Sequence, residues 1–429
     1  MISARRLPRG GLLDNRVTDL GWLLLFNSLI FQSSLKDRLP LIGYSDELAV
    51  LVLLASAIFR FVGKRWSISA HLHYLEKWGL GLLFLLVAVG LLGGYVSGVQ
   101  SALLPIAVDI FACVKFPIAF VGAGIVLSDN DRLKELLTAE IKALLILMIP
   151  FAVANQFFDL SMSYDVRYGL KSFQFVFTHP GTFSFIMAGV SLVLIGKRDN
   201  RAWLLLSWLF IALSLRSTGI AFVAVSAILV LFSDRNGRIP PLRLALIGVL
   251  AGVAVLALGI DQFEGYYSME GGARRELTLV APEIANRYWP LGSGFATYAS
   301  NITAQPGYYS DLYYQYGLSS VYGLEPGNIM FLSDTFWPIV IGQFGWLGLS
   351  IYLAMLACLC MGRVRSSLGK GFGLHAVLLL FCYLFVSTLG SSSFFHPAAI
   401  YLAMSAGIAC AGERQGIDVE YRHQNWTPR

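Results

Sequence analysis

The chain has 429 residues, of which 56% are hydrophobic and 14% charged, with a formal net charge of +6. Soluble domains carry about 25% charged residues, so this balance, with a mean hydropathy of +0.65, excludes an ordinary soluble enzyme and points to a polytopic membrane protein. The five cysteines (Cys113, Cys358, Cys360, Cys382, Cys410) all sit in apolar segments without a C-x-x-C pair, which argues against disulfides and against a zinc site.

The basic N-terminus "MISARRLPRGGLLDNR" leads into a first apolar run without a small-residue cleavage site, so it reads as a retained span. Runs such as "WGLGLLFLLVAVGLLGGYVSG" (78–98) stay uncharged for the roughly 20 residues that a bilayer demands. In chain order the apolar segments fall near 19–33, 46–63, 78–97, 102–127, 139–157, 173–195, 202–214, 218–233, 243–261, 335–360, 372–389 and 394–411. The expected fold is therefore an all-α polytopic membrane protein of about twelve transmembrane helices. It forms a single integral membrane domain over 1–429.

With the N-terminus cytoplasmic and the spans alternating, 23 of the 32 lysines and arginines fall on the cytoplasmic side and 8 outside, with Lys115 inside a span. That asymmetry is the positive-inside pattern, and it places both termini in the cytoplasm. It also explains the net charge without a nucleic-acid patch. One large loop, 262–334, then lies outside between helices nine and ten. The halves show no internal repeat, and the long loop comes late, which weakens a transporter built from two six-helix halves.

The outer face collects the chemistry. The long loop has no lysine but holds Arg274, Arg275 and Arg287, and an arginine fork matches phosphate oxygens bidentately where lysine acts as a point charge. Ten of the nineteen tyrosines also lie in this loop. A tyrosine ring with its hydroxyl suits a sugar, and equally suits a membrane interface. Tyr288, Trp289, Tyr298, Tyr313 and Tyr314 are the candidates for sugar contact. Arg216, in "SLRSTG" (214–219), sits at an outer turn at membrane depth, where a functional role and a snorkelling role both fit. Arg167 stands near Asp165 in "SYDVRYGLK", open to either a local structural or a substrate-binding role. His179 and His396 each precede a proline, which marks a helix start. Lys115 and Asp109 share one span and are a candidate buried pair or cavity lining. In "YWPLGSGF" the glycines bend the backbone after an arginine-headed helix near 273–287, so that helix would fold over the membrane as a lid. No nucleotide-binding strand–helix unit precedes them.

These motifs, in this order, resemble the bacterial O-antigen polymerase and O-antigen ligase superfamily: an outer arginine helix followed by "PLGSGF", then "LSDTFWPIVIGQFGWLG" (332–348), with "SLRSTG" and "FTHPGTFS" before them. The resemblance covers roughly 165–412. It implies a metal-independent glycosyltransferase of the bacterial inner membrane, without a cofactor, whose donor is a glycan on undecaprenyl diphosphate at the periplasmic face. By that resemblance Arg216 with Arg274 or Arg275 would bind the donor diphosphate, with Arg287 and Arg167 as further candidates. Ligases of this superfamily carry a histidine at the end of the long loop. Here the loop reads "SDTFW" and contains no histidine, which favours polymerase over ligase. Asp334, Glu276 and His179 are the catalytic candidates, with Asp311 and Glu325 as further candidate bases; Asp334 equally fits a helix cap. Ligation to a lipid or protein acceptor, and lipid-linked sugar transport, are the alternative functions. A polysaccharide chain-length regulator is the partner implied by analogy.

Overall fold

The computed structural model describes residues 12–63, 72–195, 198–234, 240, 271–305, 308–332, 334–367 and 372–411. The described residues are mostly helical (72%) with few strands. The first five helices are α1 (Leu12–Leu35), α2 (Ser45–Gly63), α3 (Tyr74–Ser97), α4 (Leu103–Val126) and α5 (Asp131–Phe157). A two-stranded ribbon, β1 (Ser163–Arg167) against β2 (Leu170–Phe173), leads to α6 (Pro180–Ile195), α7 (Arg201–Leu213) and α8 (Ser217–Phe232). The ninth expected span, 243–261, and the start of the long loop lie outside the described residues. Then come α9 (Ala273–Arg287), the short ribbon β3 (Ala304–Gln305) with β4 (Tyr308–Tyr309), and α10 (Asp311–Gln315). The chain closes with α11 (Trp337–Ser367), α12 (Gly373–Ser387) and α13 (Pro397–Ala409).

Five segments among the described residues are long and apolar enough to cross a membrane: Pro40–Arg60, α3, α4, α5 and α11. α6, α7, α8, α12 and α13 are apolar but shorter, 13 to 16 residues. The helix ends follow local chemistry. His73 opens α3 with a capping box, its ring accepting from Leu75 N and its own N–H donating to Glu76, and Gly98 closes that helix in the left-handed region. The helix expected from 173 begins instead at Pro180, because Leu170–Phe173 pairs as β2. Both His–Pro pairs resolve as helix caps. His179 Nδ1 accepts from Gly181 N at 3.0 Å, and His396 Nδ1 accepts from Ala398 N at 3.1 Å, while the prolines take the first helical position, where a missing N–H costs nothing.

α3 packs along α11, while α4 packs on α2 and α13. Two ion pairs are sunk between these helices. Lys115 of α4 reaches Asp46 of α2 at 2.5 Å, and Gln32 of α1 donates to the other oxygen of Asp46 at 2.6 Å. The expected pairing of Lys115 with Asp109 is thus corrected. Residues six apart on a helix point roughly 240° from one another, so the two side chains leave α4 on different faces. Arg363 of α11 meets Glu76 of α3 at 2.7 Å. Its guanidinium lies over Gly124, where a Cβ would fall 1.8 Å from a guanidinium nitrogen.

Candidate functional site

The long loop has an apolar core of its own, and α9 is its organiser. Leu277, Val280, Ala281 and Ile284 form the buried stripe of this helix, at the spacing expected of one helical face. They pack against Tyr298, Tyr313, Leu312, Leu318, Leu324 and Leu332. The hydroxyl of Tyr298 donates to Leu277 O at 2.7 Å, and that of Tyr313 accepts from Ala299 N at 2.9 Å. Tyr298 and Tyr313 are fully buried. Their expected role in sugar contact is corrected: both rings fill the loop's core, and both hydroxyls satisfy buried backbone. Trp289 and Tyr314 are exposed. Tyr288 packs at the edge of the loop core.

The segment "YWPLGSGF" does not arch over the surface as a simple lid. It inserts between α3 and a break in α11 at Gly345 (φ 63°, ψ −168°). Ser293 N donates to Gly342 O at 3.0 Å, Gly294 N to Gln343 O at 2.8 Å, and Leu347 N to Pro290 O at 3.3 Å. Gly294 (φ +92°) lies so close to α3 that a Cβ would stand 2.3 Å from Gly94 Cα, and a Cβ on Gly345 would stand 2.4 Å from Pro290 O. Here glycine is required twice over, by positive φ and by backbone-to-backbone approach. Asp109 completes the junction by accepting from Ala296 N at 2.7 Å. Gln343 donates to Tyr298 O at 2.8 Å in the same buried neighbourhood. Asp109 and Gln343 were not among the candidate site residues. A carboxylate and an amide interrupting two apolar spans are the signals that pointed to them.

This insertion anchors α9 and presents its first turn. Gly272, which has no side chain to offer, caps that turn, and the positive end of a helix dipole favours an anion. Arg274 and Arg275 stand on it. Arg274 donates to Asp334 at 2.8 Å across 60 residues, with both side chains partly exposed, and Arg275 donates to Glu276 at 2.8 Å. Burial raises the pKa of Asp334 above the usual carboxylate range, and the charge and hydrogen bond of Arg274 oppose it. Arg287 belongs elsewhere. It closes α9 about 20 Å along the helix from Arg274, donates to Gln315 at 3.0 Å and lies over the Tyr288 ring.

A second group forms on the β1–β2 ribbon. Arg167 donates to Asp165 at 2.8 Å, and Arg216 approaches the same carboxylate at 3.5 Å. Ser172 also bonds Asp165. Burial works against the charged form of Asp165, but the bonds from Ser172 and Arg167 and the charge of Arg216 outweigh it and hold the carboxyl below its ordinary value. Leu215, just before Arg216, is buried with φ +52°, a left-handed conformation that a leucine adopts only at a cost. That bend sets where Arg216 leaves α8. His179 joins the group edge-on to Tyr164, with ring centroids 4.9 Å apart. Burial, then Arg216 and Arg167, lower its pKa. Since Nδ1 accepts the cap hydrogen bond, the neutral ring carries its proton on Nε2. His179 is therefore spent as a cap and has no free lone pair for a base.

The sequence-derived residues thus divide into a pair at the start of α9 (Arg274 with Asp334, flanked by Arg275 and Glu276) and a ribbon group (Arg167, Asp165, Arg216, His179). Among the described residues no three His, Cys, Asp or Glu side chains gather as a metal site. No protein-family model, no curated protein and no solved structure matches this chain.

Proposed function

We propose that this chain is a membrane glycosyltransferase that polymerises oligosaccharide repeat units carried on undecaprenyl diphosphate, forming O-antigen or exopolysaccharide. In this reading the twelve-span topology holds, the protein resides in the bacterial inner membrane, and the long loop faces the periplasm. The observation that carries the proposal is the start of α9. Two arginines stand in the first turn of a helix whose cap is a glycine, and one of them is held by a partly buried carboxylate.

The chemistry follows from that geometry. The donor diphosphate takes Arg274 and Arg275, whose charge offsets the negative charge that grows on the leaving group. Arg216, which faces Asp165 in the ribbon group, enters this reading as a further diphosphate ligand from the sequence resemblance. As Arg274 turns to phosphate it releases Asp334. The hydroxyl of the incoming repeat unit attacks the anomeric carbon, its proton passes to Asp334, and the bond from the sugar to diphosphate breaks. The growing glycan moves to the new unit and the lipid diphosphate departs. A chain-length regulator is the partner this activity calls for.

Reconstitution tests the proposal. Purified protein in liposomes receives lipid-diphosphate-linked repeat units, with chelator and without nucleotide, and the products are resolved by size. A ladder of lengthening glycans is expected. Substrate crossing the bilayer without any ladder would make the protein a carrier, and transfer of one finished glycan to a lipid or protein acceptor would make it a ligase.

A further inference from the structure

At the far end of the helical bundle a cavity of about 670 Å³ opens between α1, α2 and the turn joining α4 to α5. It stands well apart from the start of α9. α4 meets the inserted segment through Asp109 and reaches this cavity with Val126, about 26 Å further along the helix. The cavity wall is charged with both signs. Arg60 of α2 pairs with Asp129 at 3.3 Å, and Arg132 at the start of α5 pairs with Asp19 of α1 at 3.4 Å. Asn130 donates to Asp19 at 2.9 Å and fixes it in place.

These pairs differ from the others that join helices. The side chains of Lys115–Asp46 and Arg363–Glu76 are 1% to 7% exposed, whereas Arg60, Asp129 and Arg132 are 33%, 36% and 47% exposed. A solvent-exposed pair contributes only about 0–1 kcal/mol, so the Arg60–Asp129 contact yields to a ligand at little cost, while Arg60 keeps its hydrogen bond to Ile125 O at 2.7 Å. The rim has the opposite character. Phe59 lines the cavity and is largely exposed, as are Val17, Leu20 and Val62 on the adjoining helices, while Trp22 is buried beneath. A charged chamber with an exposed apolar rim suits an amphiphile, and the two arginines and two aspartates among its described lining residues suit one with no net charge.

We propose that this cavity holds the headgroup of a zwitterionic glycerophospholipid bearing a primary amine. The phosphate lies between Arg60 and Arg132, the ammonium donates to Asp129, and the chains run out over Phe59. The site is independent of the glycosyltransferase proposal, so each stands or falls on its own measurement.

Native mass spectrometry of the full-length, delipidated protein tests it. Phosphatidylethanolamine, phosphatidylglycerol and phosphatidylcholine with identical acyl chains are titrated in turn. The glycerol headgroup lacks the cation, and the choline headgroup lacks the N–H donors. Phosphatidylethanolamine is expected to bind about tenfold more tightly than either, the scale of one charge-assisted contact. The double variant Arg60→Gln/Asp129→Asn keeps hydrogen-bonding shapes but removes both charges, and is expected to bind the three lipids alike. Equal binding of the three lipids to the unaltered protein overturns the proposal. So does a preference for phosphatidylglycerol, or an undiminished ethanolamine preference in a folded double variant. If that variant does not fold, the selectivity of the unaltered protein decides.

Discussion

Among the described residues, two kinds of cation–carboxylate contact contrast sharply. Within the helical bundle, Lys115–Asp46 and Arg363–Glu76 are almost wholly enclosed, and each is locked by a further neighbour, Gln32 in one case and the Gly124 backbone in the other. At the start of α9, Arg274–Asp334 has a similar separation but both partners remain partly open, 18% and 26%. The enclosed pairs have no route to a ligand and serve the fold. The open pair can change partners, and its carboxylate is neither fully solvated nor fully neutralised. Exposure, more than distance, separates an ion pair that holds helices together from one that can act.

The sharpest way to break this comparison is to remove one member of each kind. Lys115→Met leaves Asp46 charged and enclosed with Gln32 and the neighbouring Glu47 beside it and no cation. Breaking a buried pair costs about 3–5 kcal/mol, so a large drop in thermal unfolding temperature is expected in detergent. The double variant Lys115→Met/Asp46→Leu should recover most of the loss. Arg274→Ala, by contrast, should leave the unfolding temperature close to that of the parent. If the two variants lose stability equally, the distinction between enclosed and open pairs fails.

The next effect is on catalysis. Under the proposed mechanism Arg274→Ala should lower polymerisation by about 10²-fold, the scale of losing one group aimed at developing charge. Arg274→Lys should recover only part of it, since a point charge does not reproduce the fork. The pH dependence carries a second signature. Burial raises Asp334, and the charge and hydrogen bond of Arg274 pull it back. As a base, Asp334 works only when deprotonated, so activity should rise as pH climbs through its raised pKa. Arg274→Gln removes the opposing charge and should move that rise to higher pH, while Asp334→Asn should abolish it. Stability carries the opposite sign. A carboxyl raised in the folded state favours folding while it keeps its proton, and that contribution is lost as pH rises above the ordinary carboxylate range. A rising limb that stays in place in Arg274→Gln would remove Asp334 as the base.

How much of this was legible from residues alone depends on the distance over which each feature is decided. The bundle helices α3, α4 and α5 are written locally as apolar runs of bilayer length with few charges, and α7 and α8 separate near Arg216 as their polar turn suggests. The start of α9 and its two arginines are local too. The partner of Arg274 lies 60 residues away, and no local pattern specifies such a pairing. The ribbon at 163–173 was hidden because its polar residues read as a short outer loop, and only Phe173 fell in the expected apolar span. Pairing Lys115 with Asp109, one of the two readings open in sequence, is excluded by helical geometry, which sets the two residues on different faces, while the true partner Asp46 lies on another helix. The glycines of "PLGSGF" announced a bend. That the bend is an insertion between α3 and the break at Gly345 depends on Gly94 and Gly345, which lie far off in the chain.

The smallest test separates two neighbouring tyrosines that look alike in sequence. Tyr313 is buried, with its hydroxyl bonded to Ala299 N and 3.2 Å from the hydroxyl of Thr303. Tyr314 is 57% exposed beside Tyr309. Tyr313→Phe strands the Ala299 N–H in the loop's core, which costs about 1–3 kcal/mol and should lower the unfolding temperature. Tyr314→Phe should change stability by less than about 0.5 kcal/mol, as most surface substitutions do. If Tyr314 meets the sugar, Tyr314→Ala should raise KM for the repeat unit without altering the unfolding temperature. A Tyr313→Phe variant that loses affinity while keeping full stability would reverse the assignment, and would mean that the loop's core opens to admit the glycan.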